Sequence, residues 1–353
     1  MKTSGCRIKK AVFAAWLSTV LTSAAAPGPY RIGVLYWSMN IPGQVAMRAG
    51  VEGQAAEINK QAEEGGGRPV ELIPYVAGDG DEGIKRQIDQ MNALVEQKVD
   101  LILVQPTDNA ALGEGLKRAN EAGIPVVAYD QYISRGKLSA YRTSDNYEAG
   151  WLNGEYIASK SPKGKAMKVV LVDYPYVSST VERLNGFLDA LAKAEIPYKI
   201  LKSYQAVEPA SGAAAGAAML RDFPAPGSVD VVFTINDGGG LAVVEALLKA
   251  GRREIMHATI DGDPQSVDNI RQGKITVVNS AQFCGPLGAE AMKAAHEILT
   301  TGTTAYHALV PVFPVTKETL GQYPGWNGPI PSELGTEWPS LSGSWSGEIK
   351  AVK

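Results

Sequence analysis

The chain has 353 residues, 45% apolar and 20% charged, with 34 Lys+Arg against 37 Asp+Glu. That length predicts about two domains with cores large enough to need no metal or disulfide staple, and the near-balanced charge with ordinary apolar content excludes a disordered chain. A sequence pI of about 5.8 leaves no electrostatic footprint for nucleic acid, and a mean hydropathy of −0.09 excludes a multi-span membrane protein.

In chain order, the first segment is a targeting signal. Lys2, Arg7, Lys9 and Lys10 form a basic stretch, Ala11 to Leu21 is apolar, and small residues follow from Ser23 to Ala26. This layout predicts a secretory signal peptide over residues 1–26, cleaved near Ala26, because the apolar stretch is too short to span a bilayer comfortably. Cleavage leaves 30 Lys+Arg against 37 Asp+Glu, a mature charge of about −7. It also removes Cys6 and leaves Cys284 alone, so no internal disulfide is expected and Cys284 reads as a small buried hydrophobe.

Strands are then expected at Ile32–Trp37, Val70–Val76, Val99–Val104, Ile124–Tyr129, Lys168–Val172, Tyr198–Tyr204, Val229–Ile235, Ile255–Ile260 and Ile275–Asn279. Most are continuous apolar runs, the pattern of strands covered on both faces. Helical periodicity fills the gaps: Ile84, Ile88, Met91 and Val95 share one face, and Gly123 and Gly251 stop helices. The small-residue stretch Ala210–Met219 reads as a packed helix. Alternation of this kind predicts an α/β protein of two doubly wound parallel-sheet lobes.

Ligands of such sheets bind beyond the carboxyl ends of the strands. The loops there are rich in Asp, Asn, Gln and Tyr. For any one residue, capping of the next helix explains the preference. Taken together, Asp130, Asn236 and Asp261 point to a shared site whose donors and acceptors suit a polyhydroxylated ligand. Competing chemistry is thin. Gly78, Gly80 and Gly83 spell a dinucleotide fingerprint, but Asp79, Asp81 and Glu82 beside them would repel a pyrophosphate. That acidic run lacks calcium-loop spacing, and His257, His296 and His307 lack metal-ligand spacing. No nucleophile elbow or Cys/His pair is present, so no catalytic residue, metal or cofactor is expected and the chain does not read as an enzyme.

Five segments carry a family resemblance: LILVQPTDNAALGEGLKRANEAGIPVVAYD (101–130), TSDNYEAGWLNGEYI (143–157), VERLNGFLDAL (181–191), VVFTINDGGGLAVVEALLKAG (231–251) and TIDGDPQSVDNIRQGKITVVNSAQ (259–282). In order and spacing the chain resembles periplasmic sugar-binding proteins of the ribose/galactose type, the substrate-binding components of ABC importers, from about Arg31 to Val315. The resemblance implies the type I periplasmic binding protein fold, with two Rossmann-like lobes joined by three hinge crossovers. The first lobe would hold 30–144 plus 283–312 and the second 145–282 plus about 313–320. Residues 321–353, rich in Pro, Gly, Ser and Trp, fall outside it and are expected to lie over the lobes with their Trp rings as anchors.

The resemblance further implies a ligand set of Asp130, Arg183, Asn236, Asp261 and Gln282. Family members usually place aromatic rings in the first strand–helix loop, where this chain has Gly43 and Gln44, and Gln131 stands where an Arg often follows the fourth-strand Asp. Gln44 and Gln131 therefore join the candidate set, with Trp37, Tyr132, Tyr174 and Tyr176 as candidate stacking faces, Trp37 and Tyr176 foremost. The implied role is a periplasmic monomer that clamps a sugar or polyol for the membrane permease of an ABC importer. The alternative is a sensor reporting its ligand to a membrane histidine kinase or chemoreceptor. No nucleic-acid partner is expected.

Overall fold

The computed structural model describes Met1 and residues 28–162, 164–335, 338, 340 and 345–352. The predicted signal peptide, Met1 apart, lies outside these described residues. From residue 30 the chain alternates strand and helix: β1 (Tyr30–Tyr36), α1 (Pro42–Gly65), β2 (Val70–Val76), α2 (Gly80–Glu96), β3 (Leu101–Val104), α3 (Gly113–Glu121), β4 (Val126–Tyr129) and β5 (Ala140–Ser144). It continues through α4 (Asn146–Lys160), β6 (Met167–Asp173), α5 (Ser178–Lys193), β7 (Tyr198–Gln205), α6 (Pro209–Asp222), β8 (Val231–Thr234), α7 (Asp237–Lys249), β9 (Met256–Asp261), α8 (Pro264–Arg271) and β10 (Thr276–Gln282). α9 (Cys284–Thr301), β11 (His307–Val310), β12 (Val312–Val315) and β13 (Lys350–Val352) complete it.

These strands form two sheets, ordered β13-β11-β5-β4-β3-β1-β2 and β12-β10-β9-β8-β6-β7. All pairings are parallel except β13 on β11 and β12 on β10. The expected two doubly wound lobes are borne out. β3, β4 and β8 are buried along their whole length, as continuous apolar runs between two helical layers require. The chain passes between lobes at 144–146, 282–284 and 310–312, where β5 leads to α4, β10 to α9 and β11 to β12. The small-residue segment is helix α6, packed on α7.

Four strands escaped the sequence reading. β5 reads AYRTS, with no apolar run, because its Arg142 is buried and spends its guanidinium on the carbonyls of Tyr141 and Ala305 and the hydroxyl of Thr304. β11 and β12 are four residues each and separated only by Pro311, so one short apolar stretch serves two sheets. β13 is an exposed three-residue strand formed by the carboxyl tail, and adds a fourth passage between the lobes.

Glycines set the closest helix contact. A Cβ on Gly150 of α4 would overlap the carbonyl O of Arg183 on α5, and one on Gly186 would overlap that of Tyr147. The two backbones touch, which fixes the height of Arg183 along α5. Gly150→Ala is therefore expected to destabilise the fold by about 1–3 kcal/mol through overpacking. Gly53→Ala, on α1 where a Cβ meets nothing within 4 Å, is expected to stabilise it by about 0.4–1 kcal/mol. Urea midpoints measure both.

Candidate functional site

Between the lobes lies a narrow cleft lined by both of them. The first lobe lines it with Trp37, Ile41, Gly43, Gln44, Met47, Asp130 and Gln131, and the second with Val177, Ser179, Thr180, Arg183, Val207, Asn236 and Asp261. Gln282 enters at a crossing point. The lobes are closed over it: Gln131 Nε2 donates to Ser179 Oγ (3.3 Å), Tyr132 N to Ser178 Oγ (3.3 Å) and Ser178 N to Asn109 Oδ1 (3.1 Å).

Each polar side chain is built in by its element. Asp130 follows β4 with φ of 65°, and Asp261 ends β9 with φ of 122°; these left-handed conformations turn both carboxyl groups off their strands at the sheet ends. Arg183 is only 3% exposed and its guanidinium is held on three sides: Nε donates to Asn146 Oδ1 (2.9 Å), and Nη1 to Ile235 O (2.9 Å) and Asp261 Oδ1 (3.2 Å). Gln282 Nε2 donates to the same Asp261 oxygen (2.8 Å), while its Oε1 accepts from Ser144 Oγ (2.7 Å). Asn236 caps α7, accepting from Gly239 N (3.2 Å), and donates to Val207 O (2.8 Å), so the capping role and the site position coincide in one residue.

A circuit of hydrogen bonds runs under the cleft. Thr143 Oγ1 donates to Asp130 O and accepts from Asn146 Nδ2, which also reaches Ser144 O. Asn146 leads to Arg183, then to Asp261, Gln282 and back to Ser144. Two of the three lobe crossings are thus wired into the ligand-facing residues.

Two acceptors in this cleft have no protein partner. Asp130 Oδ2 accepts from Gln105 and Gln131 (2.9 Å each), but its Oδ1 is buried and unbonded, as is Gln131 Oε1. Unpaired buried acceptors cost free energy unless a bound hydroxyl or water donates to them. Burial raises the Asp130 carboxyl, opposed by Arg183, and pushes Asp261 up to about 6 despite Arg183 and Gln282. Behind them, His257 is a neutral core residue, pushed down to about 3 by burial and held between Thr234 and Thr276.

Of the residues expected from sequence, the cleft brings together Trp37, Gln44, Asp130, Gln131, Arg183, Asn236, Asp261 and Gln282. Tyr176 stands apart: it is 47% exposed, with its ring edge-on to Tyr174, and it is not among the residues that line the cleft. Tyr174 meets Trp37 at 6.3 Å but does not line the cleft either, nor does Tyr132. In place of stacked rings, Ile41, Met47, Val177 and Val207 supply the apolar wall. Ser179 and Thr180, in the first turn of α5, are additions that sequence reasoning missed, since hydroxyls at a helix start read as caps. The acidic glycine loop forms the turn before α2, with Gly78 and Gly80 at positive φ. Among the described residues no cluster of three or more His, Cys, Asp or Glu side chains is placed to hold a metal.

Two hinged α/β lobes closed over a polar, largely buried cleft define a ligand-clamping binding protein. The family model described as a periplasmic binding protein domain matches residues 32–304, and the chain belongs to that family. Among curated relatives, the ribose import binding protein RbsB of Escherichia coli is 28% identical over 278 residues, 78% of this chain and 87% of that protein. The RbsB of Bacillus subtilis is 28% identical over 271 residues, 74% of this chain and 80% of that one. A solute-binding protein of Bacillus halodurans, solved with bound myo-inositol, superposes with a TM-score of 0.73 at 20% identity, covering 85% of this chain and 99% of that one.

Because Asp261 is raised from its ordinary value near 3.8 to about 6 in the fold, its protonated form is the stabilising one. That stability is present below about pH 4 and lost as pH rises through about 6. Glu148 and Glu182, each pushed up to about 7 chiefly by burial, contribute in the same direction, so Asp261 is read by difference. Asp261→Asn is expected to lose less stability than the wild type between pH 4.5 and 7.5, by on the order of 2 kcal/mol. Urea unfolding without sugar at both pH values checks it.

Proposed function

We propose that this chain is the exported receptor of an ATP-driven importer and clamps an uncharged sugar or polyol between its lobes. The observation that carries the reading is the pairing of buried carboxyl groups, Asp130 from the first lobe and Asp261 from the second, with Arg183 beside them. A diol that donates to one carboxylate from each lobe and accepts from the guanidinium joins the lobes through its own hydroxyls. Hydrogen bonds to charged groups contribute about 1.5–3 kcal/mol each, so a few suffice for the roughly 8 kcal/mol of a micromolar complex after ordering costs. A phosphorylated sugar is disfavoured, because its phosphate would face two carboxylates. With Gly43 and Gln44 where family members usually place rings, and Ile41, Val177 and Val207 forming an apolar wall, the cleft suits a ligand with fewer flat C–H faces than a pyranose, such as a furanose or open-chain polyol.

In this reading the lobes are the units 30–144 with 283–312 and 145–282 with about 313–320, rotating at the three crossings. Asp130, Arg183, Asn236, Asp261 and Gln282 make the polar contacts, Gln44 and Gln131 add to them, and Trp37 provides the one ring. The closed monomer is what a membrane permease recognises in the periplasm; the relatives' import roles and the basic-apolar-small pattern of residues 1–26 support that location.

Native mass spectrometry of the purified chain, followed by calorimetric titration with D-ribose, D-allose, D-fructose, myo-inositol and ribitol, tests the reading. At least one of these neutral compounds is expected to bind with a micromolar or lower Kd, and ribose 5-phosphate is expected to bind at least about tenfold more weakly. Arg183→Lys, which keeps the charge but loses the planar donor fork, is expected to weaken binding at least about tenfold. Absence of binding by all five would sink the assignment.

A further inference from the structure

Asp261 and Gly262 form a strained turn, with φ of 122° and 83°, and a Cβ on Gly262 would overlap Ala281. The carboxylate of Asp261 faces Arg183 and Gln282 in the cleft, but the carbonyls of the turn point the other way. There the carboxyl tail meets them. Trp326 Nε1 donates to Asp261 O at 2.5 Å, and Tyr323 Oη donates to Gly262 O at 3.4 Å. Trp326 is also fastened to the other lobe: its carbonyl accepts from Gly285 N (3.2 Å) in the first turn of α9. Its ring lies about 4.0 Å from where a Cβ of the cleft residue Gly43 would stand. One tail residue therefore bonds the back of the second-lobe turn through its indole and the first turn of α9 through its carbonyl, with its ring lying near Gly43 of α1.

We propose that Trp326, assisted by Tyr323, is a positioning residue for the ligand site: it holds the Asp261–Gly262 turn in its left-handed conformation, and so sets where the Asp261 carboxylate meets a bound hydroxyl. An unbraced turn of this kind relaxes toward ordinary backbone angles, which swings the carboxylate. The consequence for sugar affinity rests on the function proposed above; the consequence for the turn itself does not.

The test uses the full chain. Trp326→Phe keeps the ring packing and removes the N–H, and Tyr323→Phe is the second variant. Without sugar, amide hydrogen exchange over residues 259–265 is expected to quicken about tenfold in Trp326→Phe, while residues 307–315, anchored by Trp345, stay unchanged. In titrations with D-ribose, D-allose and myo-inositol, Trp326→Phe is expected to lose about five- to twentyfold in affinity in the wild-type background. In the Asp261→Asn background it is expected to lose less than about twofold, since both changes act through one carboxylate. Unchanged exchange over 259–265, or exchange raised uniformly along the chain, or affinity losses that add across the two backgrounds, would each overturn the proposal. If the wild-type chain binds none of the three compounds, the sugar assignment fails for them and exchange alone decides whether Trp326 braces the turn.

Discussion

A single buried cation organises this molecule. Arg183 sits where α5 crosses α4 backbone to backbone, and its guanidinium is spent on Asn146, the Ile235 carbonyl and Asp261. A desolvated charge is costly unless paired, and so are the two carboxyl groups near it. The arrangement spends Nε and Nη1 of Arg183 within the protein, leaves Nη2 without a protein acceptor among the described residues, and leaves Asp130 short of one donor. That asymmetry gives the cleft its chemistry: a site with buried acceptors that the hydroxyls of a ligand can satisfy. Asn146 extends the constraint to the hinge, since the amide that receives Arg183 also ties down Thr143 and Ser144 at the first crossing.

The fold was largely legible because its signals are redundant. Continuous apolar runs marked the covered strands, glycines marked helix ends, and the sheet type follows from their alternation. The missing strands lie where tertiary context overrides local pattern. β5 buries an arginine, and β11 and β12 share one apolar stretch that a proline divides between sheets. β13 has neither length nor burial to reveal it. The candidate site was legible in part from strand ends, since Asp130, Asn236 and Asp261 stand where ligands gather in open sheets, whereas Arg183 and Gln282 were implied only by the family resemblance. What the sequence could not convey was direction: Tyr176 follows β6 as a site residue would, yet its ring turns outward onto Tyr174. Ser179 and Thr180 were hidden for the opposite reason, because hydroxyls opening a helix already have an ordinary explanation.

The tail shows how an appendage becomes part of the machine. Trp326 and Trp345 each donate an indole N–H to a backbone carbonyl beside a lobe crossing, Asp261 and Val312 respectively. Indole is well suited to such anchoring, because a broad apolar face packs while one polar atom finds a fixed acceptor. Among its described residues, this Pro- and Gly-rich segment is thereby held by indole side chains as well as by backbone contacts such as the pairing of β13 with β11.

The interleaving of the two sheets also bears on the order in which the protein can form. The first sheet holds β1 to β5 from the early part of the chain, yet α9 and β11, which cover and extend it, come after β6 to β10 of the second sheet. Neither lobe is a contiguous stretch that can finish folding while the ribosome is still working. Contacts between residues more than 160 positions apart, such as Arg142 with the Thr304 hydroxyl and the Ala305 carbonyl, wait for nearly the last part of the chain to appear. High sequence separation of this kind slows folding. On the exported route proposed above, these late contacts mean that the first lobe stays incomplete until residues 304–310 have emerged.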